Sequence, residues 1–104
     1  MKRAEILKTA SDTVCTDREQ QYGSPEDNFQ TIADLWTAYI YGKGLSIHGT
    51  YGVPVKIKAD DVAIMQALLK IGRIASGQTK DDNYVDGCGY LSCAGELASN
   101  GKSD

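Results

Sequence analysis

The densest polar run in the chain is Asp81-Asp82-Asn83-Tyr84-Val85-Asp86, with Tyr90 one helical turn further on. On a helix, Asp82 and Asp86 share a face at i, i+4, and Asn83, Asp86 and Tyr90 share an overlapping one. Upstream, Gln66, Lys70 and Arg73 form a polar stripe at spacings of four and three. A short connection over 77–80 predicts antiparallel neighbours, which brings Lys70 and Arg73 towards Asp82 and Asp86. Such a set supplies cations for phosphate, carboxylates for a metal or a base edge, and an amide for a base. Arg73 is the stronger phosphate candidate, because its planar fork binds two oxygens at once. The plainer reading of the same residues is a capped, solvated helix start with inter-helix ion pairs.

A second group is Arg18, Tyr22-Gly23, Asn28-Phe29 and Trp36. Tyr22 and Trp36 are able to stack a base and Arg18 to pair with phosphate. Equally, Trp36 reads as a core residue and Tyr22-Gly23 as a turn. Neither GxxxxGK[ST], GxGxxG nor GxSxG occurs, so P-loop, Rossmann and nucleophile-elbow sites are excluded as motifs. His48 is the single histidine, and Cys15, Cys88 and Cys93 have no CxxC spacing. A zinc site or a histidine-based triad would lack its ligands, and the cysteines are expected as small buried hydrophobes. No catalytic residue, metal ligand or cofactor is assigned.

Four helices are expected to position these residues. The first spans about 3–15, with Ala4, Ile6, Leu7, Ala10 and Val14 on one side. Ser24-Pro25-Glu26-Asp27 is a helix start, opening a second helix over 25–41 that carries Phe29, Ile32, Ala33, Trp36 and Ile40. A third runs over 59–76 and is apolar nearly all round, which predicts a central position. A fourth, over 82–99, is capped by Asp81 or Asp82; its Gly87, Gly89 and Gly95 predict close helix or ligand approach. Between the second and third, residues 43–57 alternate Leu45 and Ile47, then Val53, Val55 and Ile57, around a His48–Gly52 turn. That predicts a short β-hairpin or ordered loop lying on the helices or pairing with another subunit. Residues 100–104 read as a frayed tail. The expected architecture is a mainly all-α, four-helix bundle-like single domain over 1–104.

Composition agrees. Of 104 residues, 41% are hydrophobic and 24% charged, and 11 basic against 14 acidic side chains leave a net charge of −3. That is globular composition, without the basic excess of a nucleic-acid-polymer binder. No apolar stretch approaches the roughly 18 residues that span a bilayer, and Glu5, Lys8 and Asp12 interrupt any secretory leader. A cytoplasmic protein is expected, with neither membrane nor nucleic-acid-polymer partner. The helices offer more apolar surface than one small bundle covers, so a homo-oligomer, dimer or tetramer, is also expected.

The ordered series Asp17-Arg18, Tyr22-Gly23, Asn28-Phe29, Ile32-Ala33-x-Leu35-Trp36, Asp61-Val62-Ala63-x-Met65, Leu69-Lys70-Ile71-x-Arg73 and Asp82-Asn83-Tyr84-Val85-Asp86-x2-Gly89-Tyr90 resembles a small phage and prophage family known as a domain of unknown function. The resemblance covers about residues 3–98, within which 43–57 looks like an insertion. The family is more distantly similar to nucleotide-modification-associated phage domains and to all-α MazG-type nucleotide pyrophosphohydrolases. The latter hold Mg²⁺ with ExxE and ExxD pairs, since hard divalent ions take several carboxylate oxygens. Here the second helix has no ExxE, the third has Asp60 and Asp61 only, and the fourth has Asp82 and Asp86 four apart. What the resemblance implies is therefore a small-molecule nucleotide binder in the cytoplasm of a bacterial host. By analogy it would be a counter-defence sponge for a cyclic or ADP-ribose-derived immune signal, held by Arg18, Tyr22, Asn28, Trp36, Lys70, Arg73, Asp82, Asn83, Asp86 and Tyr90. The alternatives are a Mg²⁺-dependent pyrophosphohydrolase and a protein-binding inhibitor of a host factor.

Overall fold

The computed structural model describes residues 1–17 and 25–100. Arg18, Tyr22 and the end of the expected tail lie outside the described residues. Helix α1 spans Arg3–Asp12, α2 Pro25–Gly42, α3 Ala59–Ala75 and α4 Asp81–Asn100, and among the described residues there is no β-strand. The fold is all-α, as expected. The predicted first helix, however, ends its α-helical turns at Asp12 and continues over Thr13–Asp17 as a π-turn. Asp81 and Asp82 sit in the first turn of α4 rather than before it.

Each boundary has a local cause. Lys58 stands where Ser or Thr would ordinarily cap α3, yet its backbone N–H donates to Asp61 Oδ2 at 3.0 Å. That is the reciprocal half of a capping box, and it satisfies the start of the helix without a hydroxyl. At the other end Gly77 takes φ +99°, a left-handed conformation that glycine adopts freely and that turns the chain out of α3. The return into α4 is closed by Asn83, a buried residue whose Nδ2 donates to the Gln78 carbonyl at 2.8 Å.

Residues 43–58 form a hairpin-like loop, not a β-hairpin. One antiparallel bridge joins His48 and Pro54, flanked by Gly49 N–H to Val53 O at 2.9 Å and Val55 N–H to Ile47 O at 2.8 Å. Those two bonds make His48 and Pro54 a non-hydrogen-bonded pair, so the proline nitrogen faces away from the ladder; pairing goes no further because the Gly49 carbonyl accepts from Gly52 N–H and the Val55 carbonyl from Tyr41 Oη. The loop is instead held by α2. Tyr41 Oη donates to the Val55 carbonyl at 2.6 Å and lies 3.1 Å from the Ile47 carbonyl. Thr37 Oγ1 accepts the Ile57 N–H at 2.9 Å while donating to Ala33 O. Ile57 is thereby pressed into a core with Ala33 and Val62, against which Phe29, Ile32, Trp36, Ile40 and Ile47 pack.

The extensive helix contacts run in the order α1–α4–α3–α2. Phe29, near the start of α2, also reaches across to Tyr90 of α4. A second core cluster, Ala63, Cys93 and Ala94 with Val14 and Phe29, fills the α3–α4 seam. Apart from Ile57, the buried members of both clusters are small, and Val62 is the largest fully buried side chain among the described residues. Of the cysteines, only Cys93 is buried; Cys15 is exposed, contrary to expectation.

Helix α3 lies within this order of contacts but is not enclosed. Its inward face carries Val62, Ala63 and Ala67 with half-buried Gln66 and Lys70. Ile64, Met65, Leu68, Leu69 and Ile71 point outward and are between 42 and 57% exposed. The polar stripe thus turns inward at Gln66 and Lys70 and stays exposed at Arg73, while the large apolar residues lie outside.

The three α4 glycines separate. A methyl group at Gly89 would come 2.8 Å from Val14 Cγ1, one at Gly87 would make ordinary contact with Lys70 Cβ at 3.9 Å, and one at Gly95 would meet none of the described atoms within 4 Å. The expected close approach holds at Gly89 and fails at Gly95. Gly89→Ala is accordingly expected to destabilise the protein by about 1–2 kcal/mol, overpacking outweighing the gain in helix propensity. Gly95→Ala should stabilise it by up to about 1 kcal/mol. Urea denaturation of the two variants reads the opposite signs.

Candidate polar seam between the last two helices

Antiparallel packing of α3 on α4 brings Lys70 Nζ to 2.9 Å from Asp86 Oδ2, with side-chain exposures of 13 and 21%. Asp86 and Tyr90 are four apart on α4, so the Tyr90 ring stands over the next turn of the same face. That ring meets Phe29 of α2 at a centroid separation of 6.2 Å and a tilt of 40°, an attractive aromatic geometry. The seam thus presents, in sequence along α4, a buried amide (Asn83), a carboxylate–ammonium pair (Asp86–Lys70) and an aromatic pair (Tyr90–Phe29).

The other expected site residues are distributed unevenly. Asn28 is half-buried one position before Phe29. Trp36 is half-buried against the Ala33–Ile57–Val62 core, which is the plainer of its two readings. Asn83 is committed to the α3–α4 turn through Gln78 O. Asp82 is exposed in the first turn of α4. Arg73 is exposed in the last turn of α3, where its charge complements the negative helix end, and it is Lys70 that takes the Asp86 partnership expected of Arg73. The sequence pattern marks Phe29 only as one of the apolar residues of its helix, and its contact with Tyr90 adds it to the seam; nothing in its spacing distinguishes the two roles.

The three acids of the hydrolase alternative do not converge. Lys70 marks the level of Asp86, and Asp61 lies nine residues earlier on α3, about 13 Å away along the axis. Among the described residues no three His, Cys, Asp or Glu side chains group as metal ligands. A separate shallow groove of about 550 Å³, lined by Thr37, Tyr41, Pro54, Val55, Lys56 and Lys58, runs where the 43–58 loop lies on α2. It is wide open to solvent and largely apolar. No helix among the described residues is long and apolar enough to cross a membrane.

This all-α chain is similar to phage proteins. It belongs to the family described as "Domain of unknown function (DUF6378)", which matches residues 5–98. The Gene 55 protein of Mycobacterium phage L5 is 36% identical over 85 residues, 82% of this chain and 47% of that protein. The Gene 55 protein of Mycobacterium phage D29 is 30% identical over 88 residues, 85% of this chain and 50% of that protein. The chain thus spans about half the length of these curated relatives. No solved structure matches it.

Removing one partner of the Lys70–Asp86 pair leaves a largely buried charge. Asp86→Ala should therefore cost about 2–4 kcal/mol, short of the fully buried limit because water still reaches both groups. The double variant Lys70→Met with Asp86→Leu should recover most of that loss. Chemical denaturation of Lys70→Met, Asp86→Leu and the double variant completes the cycle.

Proposed function

We propose that this phage-family chain is a non-catalytic binder of a small nucleotide, acting in the bacterial host cytoplasm by sequestering a cyclic or ADP-ribose-derived immune signal. The observation that carries the reading is the Lys70–Asp86 pair set one turn from the Phe29–Tyr90 rings. A half-buried ion pair costs desolvation that apolar residues of similar size would avoid, so a chain with so small a core gains nothing in stability by holding one. A nucleotide uses both parts: a base lies on the exposed edge of the aromatic pair and donates to the Asp86 carboxylate, and the Lys70 ammonium attracts phosphate. The scatter of Asp61, Asp82 and Asp86 favours holding over hydrolysis, since two-metal cleavage needs convergent carboxylates.

The test is incubation of the purified protein with cyclic dinucleotides and cyclic ADP-ribose isomers, followed by equilibrium dialysis, heat release and mass spectrometry. Retention at micromolar concentration with release of the unaltered compound is expected, and Tyr90→Leu should weaken it at least tenfold. No retained nucleotide overturns the proposal. Mg²⁺-dependent release of pyrophosphate or monophosphate would replace it with the pyrophosphohydrolase reading.

A further inference from the structure

The Lys70 ammonium stands 2.9 Å from Asp86 Oδ2, and neither side chain is sealed from solvent, at 13 and 21% exposure. A carboxylate has about four acceptor sites, and an ammonium has three donors and no acceptor. Their mutual contact uses one of each. What remains is a row of unlike functions: two carboxylate oxygens that accept and, beside them, an ammonium that donates. One turn along α4, about 6 Å of rise, the Tyr90 ring stands against Phe29. A purine stacked on that ring has its pairing edge within reach of both charged groups.

We propose that the base held at this seam is guanine, so that the ligand is a guanine-bearing cyclic nucleotide; the inference rests on the nucleotide reading above and selects within it. The pairing edge of guanine presents, in order, the N2 amino donor, the N1–H donor and the O6 acceptor. That order is the complement of carboxylate oxygen, carboxylate oxygen and ammonium. Guanine therefore makes three bonds here, two charge-assisted ones from N2 and N1 to the Asp86 oxygens and one from Lys70 to O6. The third donor of Lys70 stays available for phosphate. Adenine offers one donor at N6 and one acceptor at N1, with only C2–H where guanine has its amino group. It makes two bonds and sets a carbon against a partly buried Asp86 oxygen. Cytosine and uracil likewise make two. A carboxylate oxygen that loses its solvent and gains no donor is costly, and that cost separates the bases. Signals derived from ADP-ribose carry adenine, so the seam favours the guanine-bearing cyclic compounds over them.

The experiment is isothermal titration calorimetry of the purified protein with three cyclic dinucleotides that differ only in base, and with cyclic ADP-ribose. The three carry two guanines, two hypoxanthines or two adenines. Hypoxanthine keeps N1–H and O6 but lacks the N2 amino group, so it isolates the third bond. The guanine compound is expected to bind at least tenfold more tightly than each of the other three. Asp86→Asn sets an amide N–H₂ against one guanine donor. With helical circular dichroism retained, it should bring the three dinucleotides within about threefold of one another. If Asp86→Asn does not fold, the wild-type comparison still decides. Three results each overturn the guanine assignment and leave the nucleotide reading standing: a hypoxanthine or adenine compound bound as tightly as the guanine one, tighter binding of cyclic ADP-ribose, or a folded Asp86→Asn chain with its guanine preference intact. Binding of none of the four overturns both.

Discussion

Close approach of α3 and α4 is the constraint from which the rest of the arrangement follows. Besides Val62, Asn83 and Val85, the buried residues of these two helices are all small (Ala63, Ala67, Gly89, Cys93 and Ala94), and Gly87 lies against Lys70 Cβ. Side chains of this size let two backbones come together, but they bury little apolar area themselves. The same closeness has two consequences. It shortens the reach from Lys70 to Asp86 so that a direct ion pair forms, and it leaves no inward room for the Leu, Ile and Met residues of α3.

The result is a helix whose inward face mixes Val62, Ala63 and Ala67 with two polar side chains. Gln66 and Lys70 face the chain's own interior and the large aliphatic residues face away from it. A polar interior is tolerable only where each group finds a partner, and here none of the buried side-chain nitrogen and oxygen atoms among the described residues lacks a hydrogen bond. Specificity and stability are thus divided between two faces. The inward face fixes register through hydrogen bonds and one ion pair, and the outward face holds the unused hydrophobic driving force.

Helix positions are legible in the sequence because capping and breaking residues are local: Pro25, the Asp60-Asp61 start and Gly77 each act within a turn. Packing is less so. The short 77–80 connection is enough to turn the polar stripe of α3 towards the α4 acids, and Lys70 meets Asp86 accordingly. Periodicity also makes α3 apolar nearly all round, which ordinarily means enclosure. Which of its apolar residues are covered depends on the small side chains of α4, so no window of α3 contains the information. The same limit explains the exchange of Lys70 for Arg73. Both are at helical spacing from the α4 acids, but one turn's difference in level decides which of them reaches Asp86. The alternation over 53–57 points to a strand, and Tyr41 of α2, by taking the Val55 carbonyl, keeps the pairing to a single bridge.

The loop over 43–58 is anchored only near its base. Tyr41 holds the Ile47 and Val55 carbonyls, and Thr37 holds the Ile57 amide, whereas Gly49 to Val53 protrude and are exposed throughout. Because both clasps belong to α2, the ordering of the loop base is independent of what joins Ile47 to Val55. Lengthening that tip adds a loop-closure cost that grows only with the logarithm of its length. The fold therefore contains a place where sequence can be exchanged or extended without renegotiating any helix contact, so that relatives are free to diversify a surface while keeping one scaffold.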